Sequence, residues 1–574
     1  MTGSPYALPA IVLVSVLTLV IGAYGVRFAR TTSDFLVASR TVGPGWNASA
    51  ISGEYLSAAS FLGVAGLVMK FGADVLWYPV GFTAGYLAML LYVAAPLRRS
   101  GAFTLPDFAE ARLGSRRLRL LCAGFVVLIG WLYLVPQLRG AGLTLGTVTG
   151  APYWLGAVVV GVVVTANVAT GGMRSITFVQ AFQYWLKLTA IAVPAFFLLL
   201  VWRSGGVASL TAAEPPAFVD RTAVAIQIDV RVTVSEALTM TAVGQVDGRA
   251  VDGPVRWTVG PHEVGAGSVL TFAAGTPVPH ADQLDALGND SWAAPLSSGG
   301  GHPDYPLFAT YSLILATFLG TMGLPHVLVR FYTNPDGRGA RRTTLVVLVL
   351  LGVFYLFPTI YGALGRLYTP QLLLTGQTDA AVLLLPGAAI GGLGGQLLGA
   401  LVAAGAFAAF LSTSSGLLVS VAGVLSTDVV RAGSVQAFRT AAAVAGVVPL
   451  LLALQVVALD VSVVVGLAFA VAASTFCPLL VLGIWWRGLT DVGAGAGLLA
   501  GGVLSSGAVL VTVLGGPREG WFGALLAQPA AVTVPLAFAV MILASRATRS
   551  RIPTDIGRIM VLLHAPESLG LRHR

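Results

Sequence analysis

Long apolar runs alternate with short polar loops through most of the chain, and each run is long enough to cross a bilayer as a helix of about 20 residues. In order they predict thirteen spans, near 7–27, 46–69, 75–97, 119–147, 153–171, 179–202, 305–331, 343–365, 393–426, 437–458, 461–485, 492–514 and 524–545. Between the sixth and seventh the period changes. Val224 to Val234 alternates apolar and polar residues at period two, and further strand-like pieces, Arg256 to Val259 and Ser268 to Phe272, lie between Gly-rich turns. A small β-rich insert over 203–304 is expected, closed by a Gly/Ser/Pro linker from Ser297 to Pro306, with a solvated role and no chemistry of its own.

Two spans are interrupted. The second carries Gly53-Glu54-Tyr55-Leu56-Ser57-Ala58-Ala59-Ser60-Phe61-Leu62-Gly63, which places glycine, hydroxyls and a carboxylate in mid-bilayer. Either these small residues let helices pack closely, or the helix unwinds. Unwound, its freed carbonyls would ligate a cation while the amides around Ser57 to Ser60 point positive charge at an anion. The seventh span carries Gly320-Thr321-Met322-Gly323-Leu324-Pro325-His326. Five spans separate the two interruptions, so spans two to six and seven to eleven form a pair of inverted repeats in this reading, each opening with a broken helix. The expected organisation is spans one to six over 1–202, with the first repeat at 46–202, then the external insert 203–304. Spans seven to eleven follow over 305–485, spans twelve and thirteen over 486–546, and a cytoplasmic tail over 547–574.

Composition fixes the class. A 574-residue chain that is 56% hydrophobic and 10% charged is a polytopic membrane protein. Its net charge of +9 is no nucleic-acid signature, because the arginines cluster in alternate short loops. Arg27, Arg30 and Arg40, the group Arg98, Arg99, Arg112, Arg116, Arg117 and Arg119, then Arg338, Arg341 and Arg342, and Arg546, Arg549 and Arg551 all fall on one side. The positive-inside rule makes that side cytoplasmic, with the amino terminus outside and the carboxyl terminus inside a plasma-membrane protein. Met1 to Pro5 carries no basic region, so the first run reads as a retained span. Cys122 and Cys477 sit in apolar segments as packed thiols. An intramembrane enzyme would show convergent acids, bases or metal ligands, but there is no HExxH motif and only His326 of six histidines lies near a span. A sensor would carry an output domain, and the tail after Arg546 is short.

The polar residues inside spans carry the candidate chemistry. Ser412-Thr413-Ser414-Ser415 in the ninth span exceeds what hydroxyl back-bonding within a helix needs. Adjacent hydroxyls plus the Ala409 carbonyl offer neutral oxygens suited to a weakly held monovalent cation, whereas calcium would need carboxylates. Gln180, Gln183 and Lys187 share one face of the sixth span. Lys187 is one of only two lysines in the chain, and its expected partner is Glu54, a substrate carboxylate, or the place of a cation itself. Gln137 and Arg139 in the fourth span are further charge or coupling candidates, with Arg139 a possible carboxylate clamp. Glu54 would tune the field beside the cation, and His326 with Arg330 reads as a gate feature. Ser57, Ser60 and Phe61, faced by Phe318 and Thr321, are the candidate solute contacts.

Outside the insert the sequence resembles the sodium/solute symporter family, nearest its cation/acetate branch. The matching segments are Gly53 to Gly63, Gly171-Gly172-Met173, Gly320 to Arg330, Ser412 to Asp428 and Val465 to Ser474, in the family's order. The resemblance implies the five-plus-five inverted-repeat transporter fold, alternating access, and a sodium site built from Gly53, Leu56, Ala409, Ser412 and Thr413. Gln180 stands where some members carry an acid tied to a second sodium, which implies a one-cation stoichiometry. Some acetate-branch relatives lack the hydroxyl pair that Ser412 and Thr413 supply. The expected activity is therefore symport of sodium with a short-chain monocarboxylate such as acetate, propionate or pyruvate. The alternatives are proton coupling through Lys187 or Glu54, or another small organic solute. No enzyme activity is expected, and the partners are the solute and the lipid bilayer.

Overall fold

The structure is a computed structural model that describes residues 4–27, 38, 41–204, 217–218, 221–226, 229–281, 289–297, 304–430, 434–455, 461–515, 518 and 520–566. Arg30, Arg40, residues 298–303 of the expected linker and residues 567–574 of the tail lie outside them.

The chain is mostly helical. Helix α1 (Ala7–Val26) precedes a broken helix made of α2 (Pro44–Tyr55) and α3 (Val64–Phe71), followed by α4 (Trp77–Tyr92), α5 (Arg116–Thr149) and α6 (Tyr153–Ser204). After the insert a second broken helix, α7 (Pro306–Gly323) and α8 (Pro325–Val329), leads to α9 (Gly337–Tyr368) and α10 (Gly392–Val424). Helices α11 (Val435–Gln455), α12 (Val461–Trp485), α13 (Asp491–Gly515) and α14 (Ala530–Ala547) complete the bundle.

Among the described residues eleven helical stretches are long and apolar enough to span a membrane. The expected thirteen become eleven by this measure because two stretches, 59–92 and 153–204, continue around a bend. Helix α6 is the clearer case. Its 52 residues would extend about 78 Å as a straight helix, well over twice a hydrocarbon core. It bends at Gly172, whose φ of 56° is costly for any residue with a Cβ. The centre of the bundle is α10, buried along nearly its whole second half and packed on α6, α5, α1 and α2, while α7 packs on α12 and α4. Burial on all sides explains why α10 is apolar or small all round, with no polar stripe.

Among its described residues the insert forms a seven-stranded antiparallel sheet with strands β1 (Thr222–Ala225), β2 (Val230–Val234), β3 (Leu238–Val246), β4 (Arg249–Trp257), β5 (Gly260–Val264), β6 (Val269–Phe272) and β7 (His280–Ala281). Their order is β1-β6-β3-β5-β2-β7, with β4 on β3. The single strand expected over Val224 to Val234 is two, because β1 pairs with β6 and β2 with β5. Period two survives in each, with Val224, Val232 and Val234 buried. The hairpin β3–β4 turns through Asp247-Gly248, both at positive φ. Asp-Gly at a two-residue turn is a strong hairpin signal that the period-two reading passed over.

This sheet is not an independent appendage. Its core of Trp257, Phe272, Phe218 and Val232 is continuous with Met69 at the end of α3 and with Leu372 to Leu374. Trp292 donates its indole N–H to the Val68 carbonyl at 2.7 Å, and Arg366 lies 5.0 Å from the Trp292 ring. The insert therefore caps the end of the first broken helix.

Candidate functional site

The first interruption is a true break. Helix α2 ends at Tyr55, Leu56 turns out of the helix (φ −73°, ψ 86°), and the chain resumes through a widened turn at Ala59–Gly63 in which the Val64 N–H returns to the Ala59 carbonyl. No proline forces this. It stands because the backbone groups it frees are satisfied by side chains from other helices. Thr413 of α10 donates to the Glu54 carbonyl at 2.6 Å. Ser412 donates to the Gly53 carbonyl at 2.6 Å, with the Ala409 carbonyl 3.0 Å away. The Ala58 N–H donates to Gln137 Oε1 at 2.9 Å.

Lys187 reaches the same point from α6. Its Nζ donates to the Gly53 carbonyl, to the Leu56 carbonyl at 2.8 Å and to Ser412 Oγ at 2.9 Å, and the side chain is fully buried. Four of the five oxygen-bearing residues expected to hold a cation are thus gathered within one or two bonds of this nitrogen, and Thr413 sits one step along. Close approach of α2 and α6 needs Gly53, because a Cβ there would stand 2.3 Å from the Gln180 carbonyl. Of the three partners expected for Lys187, the pairing with Glu54 is not made.

Glu54 is held instead by Arg330, whose Nε donates to Glu54 Oε2 at 2.7 Å. The same guanidinium donates to Thr177 Oγ1 at 2.9 Å and to Gln180 Oε1, and Gln180 Nε2 donates to the Ser412 carbonyl at 2.7 Å. Arg330 lies just past the second break, where Leu324 adopts ψ 115° before Pro325. It ties α2, α6 and the α8 end into one buried network. His326, expected beside it as a gate, is buried four residues before Arg330 and 5.2 Å from the Tyr133 ring, and neither of its ring nitrogens has a hydrogen-bond partner among the described residues.

The remaining expected residues divide. Ser60 and the Tyr355 hydroxyl are 2.9 Å apart, Thr321 and Tyr55 share a hydrogen bond of 2.8 Å, and Phe61 packs 6.1 Å from Phe354, so these three line the break or its walls. Ser57 is fully buried at the break itself. Phe318 is half-buried, with its backbone against Gly81 and Gly85 of α4. Gln183 turns away to donate to Thr18 of α1 at 3.0 Å. Arg139 is half-buried and engages Tyr153 where α5 turns into α6. It lies two residues from Gln137, a spacing that puts side chains on different faces of a helix.

What the sequence reading missed is an aromatic cage beside the break. Tyr55 and Tyr86 rings lie 4.8 Å apart, Phe82 and Phe469 4.8 Å, Phe82 and Tyr355 5.9 Å, and Tyr133 and Phe469 5.9 Å. The buried Tyr86 hydroxyl has no hydrogen-bond partner among the described residues. Tyrosines inside apolar spans were the available signal, since a buried phenol seeks a partner.

Two broken helices meeting at a buried polar cluster inside a bundle of inverted repeats define a solute transporter of the membrane. The chain belongs to the Sodium:solute symporter family, whose sequence profile matches residues 35–236 and 294–501. It is 30% identical over 540 residues to "Uncharacterized symporter YwcA" of Bacillus subtilis (strain 168), covering 91% of this chain and 90% of that protein. It is also 30% identical over 541 residues to "Monocarboxylic acid transporter" of Corynebacterium glutamicum, covering 89% and 86%. Its fold matches the substrate-bound, outward-open structure of a Na+-coupled sialic acid symporter with a TM-score of 0.59 at 14% identity, over 94% of this chain and 98% of that one. Family and fold together make the protein a multi-pass symporter of a small solute, not an enzyme.

Proposed function

We propose that this symporter carries a short-chain monocarboxylate, such as acetate, propionate or pyruvate, bound at the first helix break and coupled to a cation. The observation that carries this reading is the charge balance there. Lys187 and Arg330 are both fully buried, and among the described residues Glu54 is the one carboxylate in their network, so an anion arriving at the break supplies the missing negative charge. The surroundings support it: Ser57, Ser60, Phe61 and Thr321 are all buried about the break, while Tyr86 and His326 offer polar groups with no partner among the described residues. The relative named as a monocarboxylic acid transporter points to the same solute class.

The cation seat in this reading is the set Gly53, Leu56, Ala409, Ser412 and Thr413, and the family makes sodium the first coupling ion to test. Positive charge at this seat stabilises the unwound backbone that receives the anion, whether an ion from solution or the Lys187 side chain supplies it. Arg98, Arg338 and Arg546 mark the cytoplasmic face under the positive-inside rule, which puts the sheet outside and the carboxyl terminus inside.

The test is uptake of radiolabelled acetate into proteoliposomes, competed by unlabelled carboxylates, amino acids and sugars. Displacement by propionate and pyruvate is expected. Displacement by amino acids or sugars in place of carboxylates would overturn the solute assignment. Running the same uptake under a sodium gradient, under a pH gradient and under neither separates the two couplings.

A further inference from the structure

The geometry points to Lys187 as a tethered cation that fills the family's sodium seat, so that this symporter binds no sodium between α2 and α10. The inference rests on the reading of Gly53, Leu56, Ala409 and Ser412 as a cation seat, and it is independent of which solute is carried.

Hydrogen-bond bookkeeping carries the argument. An ammonium has three N–H donors and no acceptor. Lys187 Nζ meets three oxygens, the Gly53 carbonyl, the Leu56 carbonyl at 2.8 Å and Ser412 Oγ at 2.9 Å. Two of these are carbonyls, which only accept. The third is a hydroxyl that can turn its single proton to the Gly53 carbonyl 2.6 Å away or the Ala409 carbonyl 3.0 Å away and so leave a lone pair to accept from the lysine. Three oxygens thus meet the three N–H donors of the ammonium form.

The same oxygens cannot serve a metal ion at the same time. A sodium ion bound to them would stand within about 4 Å of the ammonium in a medium far less polarisable than water, where like charges repel strongly. Among the described residues no carboxylate pairs with the lysine, because Glu54 is taken by Arg330. Its stem is fixed as well: Gln180, two helical turns before it, donates to the Ser412 carbonyl at 2.7 Å and anchors α6 against α10. A charge that other members of the family would draw from solution is in this chain part of the polypeptide. It supplies the stabilisation of the unwound segment without a binding step.

The test is sodium binding to the purified, full-length protein, read by thermal unfolding in detergent as sodium chloride replaces choline chloride at constant ionic strength. Wild type is expected to show no saturable sodium-dependent shift. Lys187→Ala frees the oxygens, and the variant is expected to gain a saturable sodium-dependent rise of about 2–4 °C, lost again when Ser412→Ala is added. Saturable stabilisation of wild type by sodium that Ser412→Ala abolishes would overturn the inference, as would a folded Lys187→Ala that is indifferent to sodium. If Lys187→Ala folds only when sodium is present, the seat has been exchanged for the free ion and the inference stands. Should that variant not fold in either salt, the wild-type titration with Ser412→Ala decides alone. Failure of labelled acetate to enter proteoliposomes would remove the solute assignment and leave these binding results as they are.

Discussion

The two helix breaks are built on different principles. At the second, Pro325 has no N–H to give and disfavours helical backbone in Leu324, so the interruption is written into the covalent chain; the described hydrogen bond there, Leu328 N–H to the Leu324 carbonyl at 3.1 Å, is local. At the first there is no proline, and the break is held open from outside by Lys187, Ser412, Thr413 and Gln137, which come from three other helices. A break that depends on its neighbours changes when they move. The proline break is fixed by the covalent chain, and in the proposed function the side-chain-held break is the one that responds to what binds beside it.

Arg330 joins the two and carries the largest expected effect. Arg330→Met leaves Glu54 as an uncompensated buried charge, which costs about 3–5 kcal/mol, and unfolding in detergent should shift accordingly while uptake disappears. Adding Glu54→Gln should recover much of the stability, because removing both charges costs far less than removing one. If the double variant is no more stable than the single, the pair is not the strut described. Gln137→Leu follows, since it leaves the Ala58 N–H buried without an acceptor at a cost of about 1–3 kcal/mol, with uptake lowered in parallel. Thr413→Val keeps the shape and removes one donor to the Glu54 carbonyl, for about 0.5–1.5 kcal/mol. Equal effects of these two on a variant whose first break has been straightened would show that they do not act through it.

Much of this comparison was readable from the linear chain, and the reasons it stopped are physical. Gly53 to Gly63 and Gly320 to His326 announced themselves because glycine, hydroxyls and charge are expensive in hydrocarbon, and Ser412-Thr413 stood out for the same reason. Which partner each charge takes was not legible. Glu54, Lys187 and Arg330 lie far apart in sequence, and the pairing depends on how α6 and α8 are rotated against α2, a quantity that periodicity leaves open when helices are apolar all round. Gln183 shows the limit: it shares a helical face with Gln180 and Lys187 by spacing, yet it bonds to Thr18 because that face is wide enough to meet both α1 and α10. The aromatic cage was hidden for another reason, as Tyr55, Tyr86, Tyr133 and Tyr355 come from four separate segments with no shared spacing.

Pro325→Ala should have the smallest effect, and for that reason it tests the comparison most directly. The substitution restores an N–H and relaxes the restriction on Leu324, so the unfolded chain gains freedom and stability falls by about 0.4–1 kcal/mol. The packing around the break remains: Gly323 lies against the Ala472 carbonyl, and the Arg330 pairing with Glu54 is untouched. Melting should therefore shift slightly, and uptake should keep its solute preference with a modest loss of rate. Loss of uptake as complete as in Arg330→Met would mean that the proline break is also a working part of the site, and the distinction between a covalently fixed break and a neighbour-held one would fall.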